Sequence, residues 1–257
     1  MNPLGPPAHL DAESIVRASR SSFAPAMRLL PSERRRDLAV LYAFCRMADD
    51  IADAAGHDEA TRHAALAAWR AGFRSEDLSG IPNNLRELAR RRALPPALFL
   101  ELLDGTATDL CAPVRMASRA DLDLYCHRVA GAVGLLCLPI FGADCERCAP
   151  YAETLGRALQ YTNILRDTAS DLRRGRLYYP LDELADAGLS ADSFASDHAR
   201  RQRYLERFAG DAAELFARAA VVLPAQDRRA LRAARIMAAT YERLLRKMRR
   251  DDLRVME

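Results

Sequence analysis

The sequence contains few residues that break helices. Only 12 glycines and 13 prolines occur among 257 residues, whereas alanine, leucine and arginine are abundant. Because these three residue types favour helices, most of the chain is predicted to be helical. No stretch alternates apolar and polar residues as a half-buried strand would, and no fixed-period repeat is present. We therefore expect one all-α domain.

Long apolar runs, a leader and a strong charge imbalance are also missing. The longest apolar run, Leu135 to Phe141, is shorter than the ~20 residues that cross a bilayer. The N-terminus lacks the basic and apolar regions of a signal peptide, so the six cysteines indicate reduced thiols in the cytoplasm. A net charge of +3 is too small to indicate nucleic acid. We expect a cytoplasmic protein whose arginine clusters allow a weak peripheral contact with anionic membranes.

A polar stripe lies in the helix predicted from Cys148 to Asp171. Four polar side chains recur there at spacings of three or four residues, which places them on one helix face: Gln160, Asn163, Asp167 and Asp171. The rest of the segment is rich in leucine, alanine and tyrosine, and unpaired polar groups are costly in a core. The stripe is interpreted as the wall of a cavity that binds cations.

A second pair of carboxylates continues the inward face of an earlier helix, for which Ser32 is the expected N-cap. Asp49 and Asp53 follow the apolar stripe at the same helical spacing, while Asp50 lies about 100° around the helix and is expected to flank the pair. The stripe consists of Leu38, Leu41, Tyr42 and Cys45.

Carboxylates four residues apart can hold Mg²⁺ while leaving coordination positions for water and phosphate. Two such pairs on facing helices would hold a diphosphate through bridging metal ions, and Mn²⁺ could replace Mg²⁺. Arg46 and Arg166 lie beside the pairs and can donate forked hydrogen bonds to phosphate oxygens. These groups favour ionisation of a substrate with release of diphosphate.

Glycines interrupt the long apolar helix predicted from Asp121 to Phe141. Gly131 and Gly134 each cost roughly 1 kcal/mol relative to alanine inside a helix. Close helix packing and a smooth channel for a long apolar ligand are both open explanations. The other helices are predicted at Asp11–Arg20, Glu59–Phe73, Leu85–Arg92, Pro95–Leu110, Leu181–Gly188, Ser196–Val222 and Gln226–Arg250, with Arg176–Pro180 extended.

Two further signals carry little weight. Cys145-x-x-Cys148 has no second cysteine or histidine pair at ligand spacing, so thiols at a helix end are expected rather than a zinc site. No G-x-G-x-x-G follows a predicted strand, so no nicotinamide cofactor is expected. Trp69 is expected in the core.

The sequence resembles the squalene/phytoene synthase family of trans-isoprenyl diphosphate synthases from about Ser14 to Val255. The resemblance is carried by Ser21-Ser22-Phe23, Leu29-Leu30-Pro31, Tyr42 to Asp53, Tyr125-Cys126 with Val129-Ala130-Gly131, and Gln160 to Tyr178. It implies an isoprenoid synthase fold, a helical bundle around a central cavity. A flexible tail at residues 1–12 and a helical domain at 13–257 are expected, with head-to-head (1′-1) condensation of two prenyl diphosphates.

The resemblance also implies roles for individual residues. The Mg²⁺ ligands would be Asp49, Asp53, Asp167 and Asp171, which form the catalytic set together with Tyr42 and Arg46. Asn163 would join the metal ligands or, like Gln160, touch the diphosphate. The remaining substrate-binding residues would be Ser22, Phe23, Tyr125, Ala130, Gly134, Arg166, Arg176 and Tyr178.

Within the family, Ser21-Ser22-Phe23 and Asn163 to Asp167 most resemble bacterial presqualene diphosphate synthases of hopanoid pathways. That branch condenses two farnesyl diphosphates, and a hydroxysqualene synthase would act downstream. The enzyme alternatives are a phytoene synthase that uses geranylgeranyl diphosphate, or a squalene or dehydrosqualene synthase. A helical assembly protein of the same fold is the non-enzyme alternative, and the presence of all four aspartates argues against it.

Overall fold

The computed structural model describes residues 4–18, 24–54, 56–110 and 113–256, which form an all-α fold with one short pair of strands. The strands β1 (Val114–Arg115) and β2 (Arg176–Leu177) are parallel. A π-helical segment (His127–Gly131) joins α7 to α8, and a 3₁₀ turn (Ala225–Asp227) precedes α12. The α-helices are α1 (Ala12–Ala18), α2 (Ala24–Met27), α3 (Ser32–Asp53), α4 (Glu59–Arg74), α5 (Asn83–Arg91), α6 (Pro96–Thr108), α7 (Arg119–Cys126), α8 (Ala132–Phe141), α9 (Cys145–Arg173), α10 (Leu181–Asp186), α11 (His198–Val222) and α12 (Arg232–Arg250).

The predicted all-α fold is confirmed, and several helix boundaries differ from expectation. The prediction of Ser32 as an N-cap is wrong, because Ser32 is the first helical residue and Pro31 occupies the cap position without a side-chain bond. α12 begins at Arg232 rather than Gln226, since the 3₁₀ turn comes first. α1 ends at Ala18, and Arg20 lies outside the described residues.

The expectation that the chain has no strand is wrong for four residues. β1 and β2 pair over two residues each, which is too short for an alternating sequence pattern to appear. The extended conformation predicted after Gly175 is present, and Gly175 itself has a positive φ of 76°, which glycine adopts readily.

The apolar unit from Arg119 to Phe141 is helical throughout, but the π-helical segment interrupts the single α-helix predicted there. By length and composition this unit is apolar enough to cross a membrane, contrary to the expectation based on its longest apolar run. Half of its apolar window is buried inside the protein, and it packs against α6 and α9. The same length and composition are found in core helices, so the unit is weak support for a membrane span.

The glycines of this region allow α9 to approach α8 and the π-helical segment closely. A Cβ atom at Gly134 would lie 2.9 Å from the Ala152 carbonyl oxygen, and one at Gly156 would lie 2.9 Å from the Ala130 carbonyl oxygen. Gly134 also lines the central cavity. Close helix packing is therefore confirmed at Gly134, and its part in a channel for a long apolar ligand stays a prediction.

Contacts between helix ends show that α3, α9 and α12 run in the same direction. At one end, Arg34 donates to the Phe141 carbonyl at 2.6 Å, which joins the start of α3 to the end of α8. Arg147, at the start of α9, donates to Asp227 just before α12 at 2.8 Å. At the other end, Arg176 of β2 donates to Asp53 at the end of α3. We call the first end the apolar end of the bundle and the second the polar end.

The core consists largely of aromatic and aliphatic side chains on either side of the bundle. Phe44 lies 5.3 Å from both Trp69 and Phe99, measured between ring centroids, which confirms Trp69 as a core residue. A second aromatic cluster behind α9 brings the ring of Phe208 within 4.7 Å of Tyr161. These clusters pack against the faces of α3 and α9 that point away from the space between the two helices.

The N-terminal residues are partly packed against the domain. Leu10 is buried, and Asn84 of α5 both accepts from its amide at 3.1 Å and donates to its carbonyl at 2.9 Å. At least the last part of the predicted tail therefore contacts the bundle. The flexibility of residues 1–12 and the boundary of the domain stay predictions.

Candidate active site

A cavity of about 440 Å³ lies between α3, α6, α8, α9 and α12, within the size range of small-molecule sites. Leu38, Phe141 and Leu231 line it toward the apolar end. The central cavity predicted for the fold is therefore present. Ser22 and Phe23 lie outside the described residues; the other predicted site residues all line the cavity, namely Tyr42, Arg46, Asp49, Asp53, Tyr125, Ala130, Gly134, Gln160, Asn163, Arg166, Asp167, Asp171, Arg176 and Tyr178.

The two carboxylates on α3 have different surroundings. Asp53 accepts from Arg174 at 2.8 Å and from Arg176 at 2.9 Å. Asp49 forms no ion pair with a described residue, and its side chain is exposed to the cavity although it lies deep within the protein. Burial raises the pKa of Asp49 to about 7, and the Arg46 charge opposes this shift only in part. Asp49 is thus the carboxylate on α3 that is free to take a cation.

The flanking position predicted for Asp50 is present in the structure. Asp50 pairs with Arg46 at 2.5 Å, one helical turn away, and it is absent from the cavity lining among the described residues. Arg46 does line the cavity. The ion pair therefore holds the Arg46 guanidinium beside the cavity without placing Asp50 inside it.

The two carboxylates on α9 show the same division. Asp167 accepts two hydrogen bonds from Arg166, at 2.8 and 2.6 Å, and this bonding raises the pKa of Arg166. Asp171 forms no ion pair within the described part of the chain. Burial, followed by the charge of Asp167, raises the pKa of Asp171 to about 7. Of the two cavity-lining carboxylates on each helix, one is therefore held by arginine and the other has no arginine partner among the described residues.

Asn163 supplies an acceptor that no described residue satisfies. Its amide nitrogen donates to Gln160 at 3.3 Å, which orients the carbonyl oxygen away from that residue. The Oδ1 atom is buried and has no hydrogen-bond partner in the described structure. An unpaired buried acceptor costs about 1–3 kcal/mol, so a ligand that coordinates or donates to this oxygen would recover that cost.

The donor set fits a hard divalent cation. Every candidate ligand is a carboxylate or amide oxygen, as Mg²⁺ prefers, and Mg²⁺ is usually held by one or two carboxylates together with substrate phosphates. Within the described residues, no group of three or more His, Cys, Asp or Glu side chains could hold a metal ion by itself. The arrangement is therefore open, and would need ligands from a phosphate-bearing substrate to complete the coordination.

Arg176 is the most deeply placed arginine of the site. Only 11% of its side chain is exposed, and it donates to Asp53 at 2.9 Å, to the Ala52 carbonyl at 3.2 Å and to the Asp109 carbonyl at 3.1 Å. These bonds join the end of α3 to the end of α6 and to β2. In this structure Arg176 orients Asp53, and its predicted contact with phosphate stays a prediction.

Asp109, which sequence reasoning did not find, is a fifth carboxylate in the cavity. It follows α6 and accepts from the hydroxyls of Tyr178 at 2.6 Å and Tyr125 at 3.0 Å. The two tyrosine rings stack with centroids 4.9 Å apart. Burial raises the pKa of Asp109, and its charge adds to the raised pKa of both Asp49 and Asp171. Asp109 therefore positions the two tyrosines and adds to the negative charge at the polar end of the cavity.

No sequence signal distinguishes Asp109 from an ordinary helix-end residue. It stands alone at the end of an apolar helix, without a second acid at helical spacing that would share its cavity face. The contact that Arg174 makes with Asp53 is not predicted by the sequence either, because Arg174 belongs to a basic run that is typical of a solvated helix end. Both roles arise from contacts between distant parts of the chain.

The comparisons with known proteins agree with this geometry. Residues 16–256 match the squalene/phytoene synthase family. A presqualene diphosphate synthase of Zymomonas mobilis is 38% identical over 91% of this chain and 82% of its own length. A phytoene synthase of Mycobacterium tuberculosis is also 38% identical, over 93% of this chain and 80% of its own length. The chain belongs to the squalene/phytoene synthase family, whose members are prenyltransferases.

Solved structures show the same fold. A squalene synthase from Alicyclobacillus acidocaldarius superposes with a TM-score of 0.80 at 28% identity and covers 94% of this chain and 92% of its own. A dehydrosqualene synthase in complex with a ligand has a TM-score of 0.83 at 27% identity and covers 94% and 86% of the two chains. The predicted isoprenoid synthase architecture is thereby confirmed.

Proposed function

We propose that this protein condenses two farnesyl diphosphates head to head to give presqualene diphosphate, with release of diphosphate and one proton. The observation that carries the proposal is the pair of facing carboxylate walls, Asp49 and Asp53 on α3 and Asp167 and Asp171 on α9, in one cavity. Mg²⁺ is the proposed cofactor, and Mn²⁺ could replace it. No nicotinamide takes part in this condensation.

The polar end of the cavity would receive the diphosphate. Asp49, Asp171 and the Asn163 oxygen can take a metal ion without breaking an ion pair to a described residue, while Asp53 and Asp167 would complete the set. When bound, Mg²⁺ neutralises the negative charge that develops on the departing diphosphate. Arg166 is 41% exposed and Arg46 45% exposed, so both can turn from their carboxylate partners toward phosphate oxygens. Gln160 lies one turn from Asn163 and would contact the same group.

The rest of the cavity suits two long apolar chains. Leu38 lies roughly 20 Å along α3 from Asp53, from the rise of an α-helix. Ala130 and Gly134 present little side chain to the cavity that they line, so a prenyl chain can pass along this wall. The rings of Tyr125 and Tyr178 can stabilise a cation by their π faces, and Tyr42 extends this aromatic lining.

The proposed reaction balances without an external oxidant or reductant. The C1–O bond of the first farnesyl diphosphate breaks, and its electron pair leaves with the diphosphate. The C2–C3 double bond of the second molecule attacks C1 of the resulting allylic cation. Loss of a proton then closes a cyclopropane ring, and the released diphosphate is the proposed base.

The cellular setting is part of the same proposal. We expect the protein to act in the cytoplasm with a peripheral contact to the membrane, because its substrates and product carry long apolar chains. A hydroxysqualene synthase would consume the product.

A phytoene synthase that uses geranylgeranyl diphosphate is the second candidate. It is favoured by the phytoene synthase of M. tuberculosis, which is as similar to this chain as the presqualene diphosphate synthase of Z. mobilis. The two activities differ in the chain length of the substrate and in whether the cyclopropyl intermediate is released.

Product identification tests the proposal. The purified protein is incubated with Mg²⁺ and either farnesyl or geranylgeranyl diphosphate, without nicotinamide, and the lipid product is identified by mass spectrometry and NMR. We expect a C30 cyclopropyl diphosphate from the shorter substrate. Phytoene from geranylgeranyl diphosphate, with no C30 product, would instead support the second candidate. Failure to convert either substrate would count against both.

A further inference from the structure

Apolar side chains are exposed at the apolar end of the bundle, where α11 ends. Val221 is 84% exposed and Val222 is 40% exposed. Each exposed valine leaves apolar surface in water, and the two are adjacent at the tip of a helix. Clustered exposed apolar residues commonly mark an interaction surface.

The same tip is strongly basic. Arg218 lies one helical turn before the two valines, and Arg228, Arg229 and Arg232 follow in the turn that leads into α12; all four are exposed. None of the four forms an ion pair with a described residue. Between Arg218 and Arg232 the single acidic residue is Asp227, which is buried and paired with Arg147 at 2.8 Å. The exposed charged side chains of this segment are therefore all positive, and they flank an apolar centre.

The tip lies next to the apolar lining of the cavity. Leu231, between the arginines, is fully buried and lines the cavity together with Ala234 of α12. The polar end, where the diphosphate would bind, is at the other end of α3, α9 and α12. A membrane docked on the tip would consequently lie near the apolar part of the cavity, and the polar end would remain in water.

We propose that this tip, formed by Arg218, Val221, Val222, Arg228, Arg229 and Arg232, docks the enzyme on anionic phospholipid membranes. The arginines complement the negative headgroups, and each arginine near such a surface strengthens binding by a factor of about five. The valines would enter the headgroup–acyl boundary, as the apolar side chains of interfacial helices do. The inference rests on the proposed function for its purpose, which is to keep an enzyme of apolar substrates at the membrane.

Vesicle sedimentation of the purified full-length protein, without substrate, tests the inference. We expect binding to vesicles of phosphatidylcholine with a quarter phosphatidylglycerol, much weaker binding to phosphatidylcholine alone, and loss of binding as salt rises. The Arg228→Gln/Arg229→Gln double variant should bind the anionic vesicles roughly 25-fold more weakly, the product of two factors of five. The Val221→Asp/Val222→Asp double variant should bind at least roughly tenfold more weakly.

A matched double variant provides the control. Arg203→Gln/Arg243→Gln removes the same charge from exposed positions on α11 and α12 that lie toward the polar end, so its binding should stay within about threefold of the parent. Equal weakening by both arginine pairs would overturn the inference, as would unchanged binding of the valine variant or no binding by the parent protein. Turnover of substrate in detergent is measured separately, so failure of docking and failure of the proposed activity are distinguished.

Discussion

Removal of the Arg176 side chain is expected to destabilise the protein through the polar end of the cavity. Arg176 connects Asp53, the Ala52 carbonyl and the Asp109 carbonyl. Two of these acceptors belong to the end of α3, and the third directly follows α6. The Arg176→Ala variant therefore loses one partner for a carboxylate and two for main-chain carbonyls in a poorly solvated place.

The magnitude follows from the number of bonds lost. A hydrogen bond contributes about 1 kcal/mol net, and somewhat more when one group is charged, so three bonds correspond to about 3 kcal/mol. For a chain of this size, each kcal/mol lowers the melting temperature by roughly 2–4 °C. We therefore expect the melting temperature of Arg176→Ala to fall by roughly 6–12 °C.

Arg174→Ala is the matched control. Arg174 also donates to Asp53, at 2.8 Å, but its side chain is 53% exposed and this is its single ion pair among the described residues. Exposed ion pairs of this kind contribute less than about 1 kcal/mol. The control should melt within roughly 3 °C of the parent protein.

Thermal unfolding followed by circular dichroism measures both variants at the same pH and ionic strength. We expect a large decrease in melting temperature for Arg176→Ala and a small one for Arg174→Ala. Equal losses, or a melting temperature for Arg176→Ala within roughly 3 °C of the parent, would refute the idea that Arg176 joins the ends of these helices.

Three further predictions concern helix packing, thiol ionisation and the metal ligands. Gly156→Ala should lower the free energy of unfolding, measured with urea, by about 1–3 kcal/mol because its Cβ would overlap the facing backbone. Gly210→Ala, whose Cβ would have no neighbour within 4 Å, should leave this free energy unchanged or raise it. The reverse order of the two variants would contradict the packing. Burial raises the pKa of Cys137 to about 12, so its alkylation rate should rise about tenfold per pH unit from pH 7 to 10. Peptide mapping should show slower alkylation of Cys137 than of the exposed Cys145, and faster labelling of Cys137 would contradict its burial. Asp49→Asn should nearly abolish Mg²⁺-dependent turnover with unchanged helical circular dichroism, and a variant that keeps most of its activity would remove Asp49 from the metal ligands.

The sequence predicted the features of this protein that depend on local periodicity. The spacing of Asp49 and Asp53, and the stripe from Gln160 to Asp171, placed these side chains on inward faces because a helix repeats every 3.6 residues. The structure brings both stripes to one cavity. Their roles as metal ligands stay predictions.

Features that depend on tertiary contacts could not be predicted in the same way. Asp109 joins the site because β2 and α7 carry Tyr178 and Tyr125 to the end of α6, and no spacing in the sequence reports that meeting. The commitment of Arg176 to Asp53 likewise requires two segments more than a hundred residues apart to lie side by side. The π-helical segment at His127–Gly131 was also missed, since its composition is that of an ordinary apolar helix.

We propose that carboxylates from α3 and α9 together bind a metal–diphosphate group. Isothermal titration of the protein with inorganic pyrophosphate, in the presence and absence of Mg²⁺, tests it most directly. We expect saturable binding that requires Mg²⁺ and that is lost in both Asp49→Asn and Asp167→Asn. Binding of equal strength without Mg²⁺, or in either variant, would contradict it.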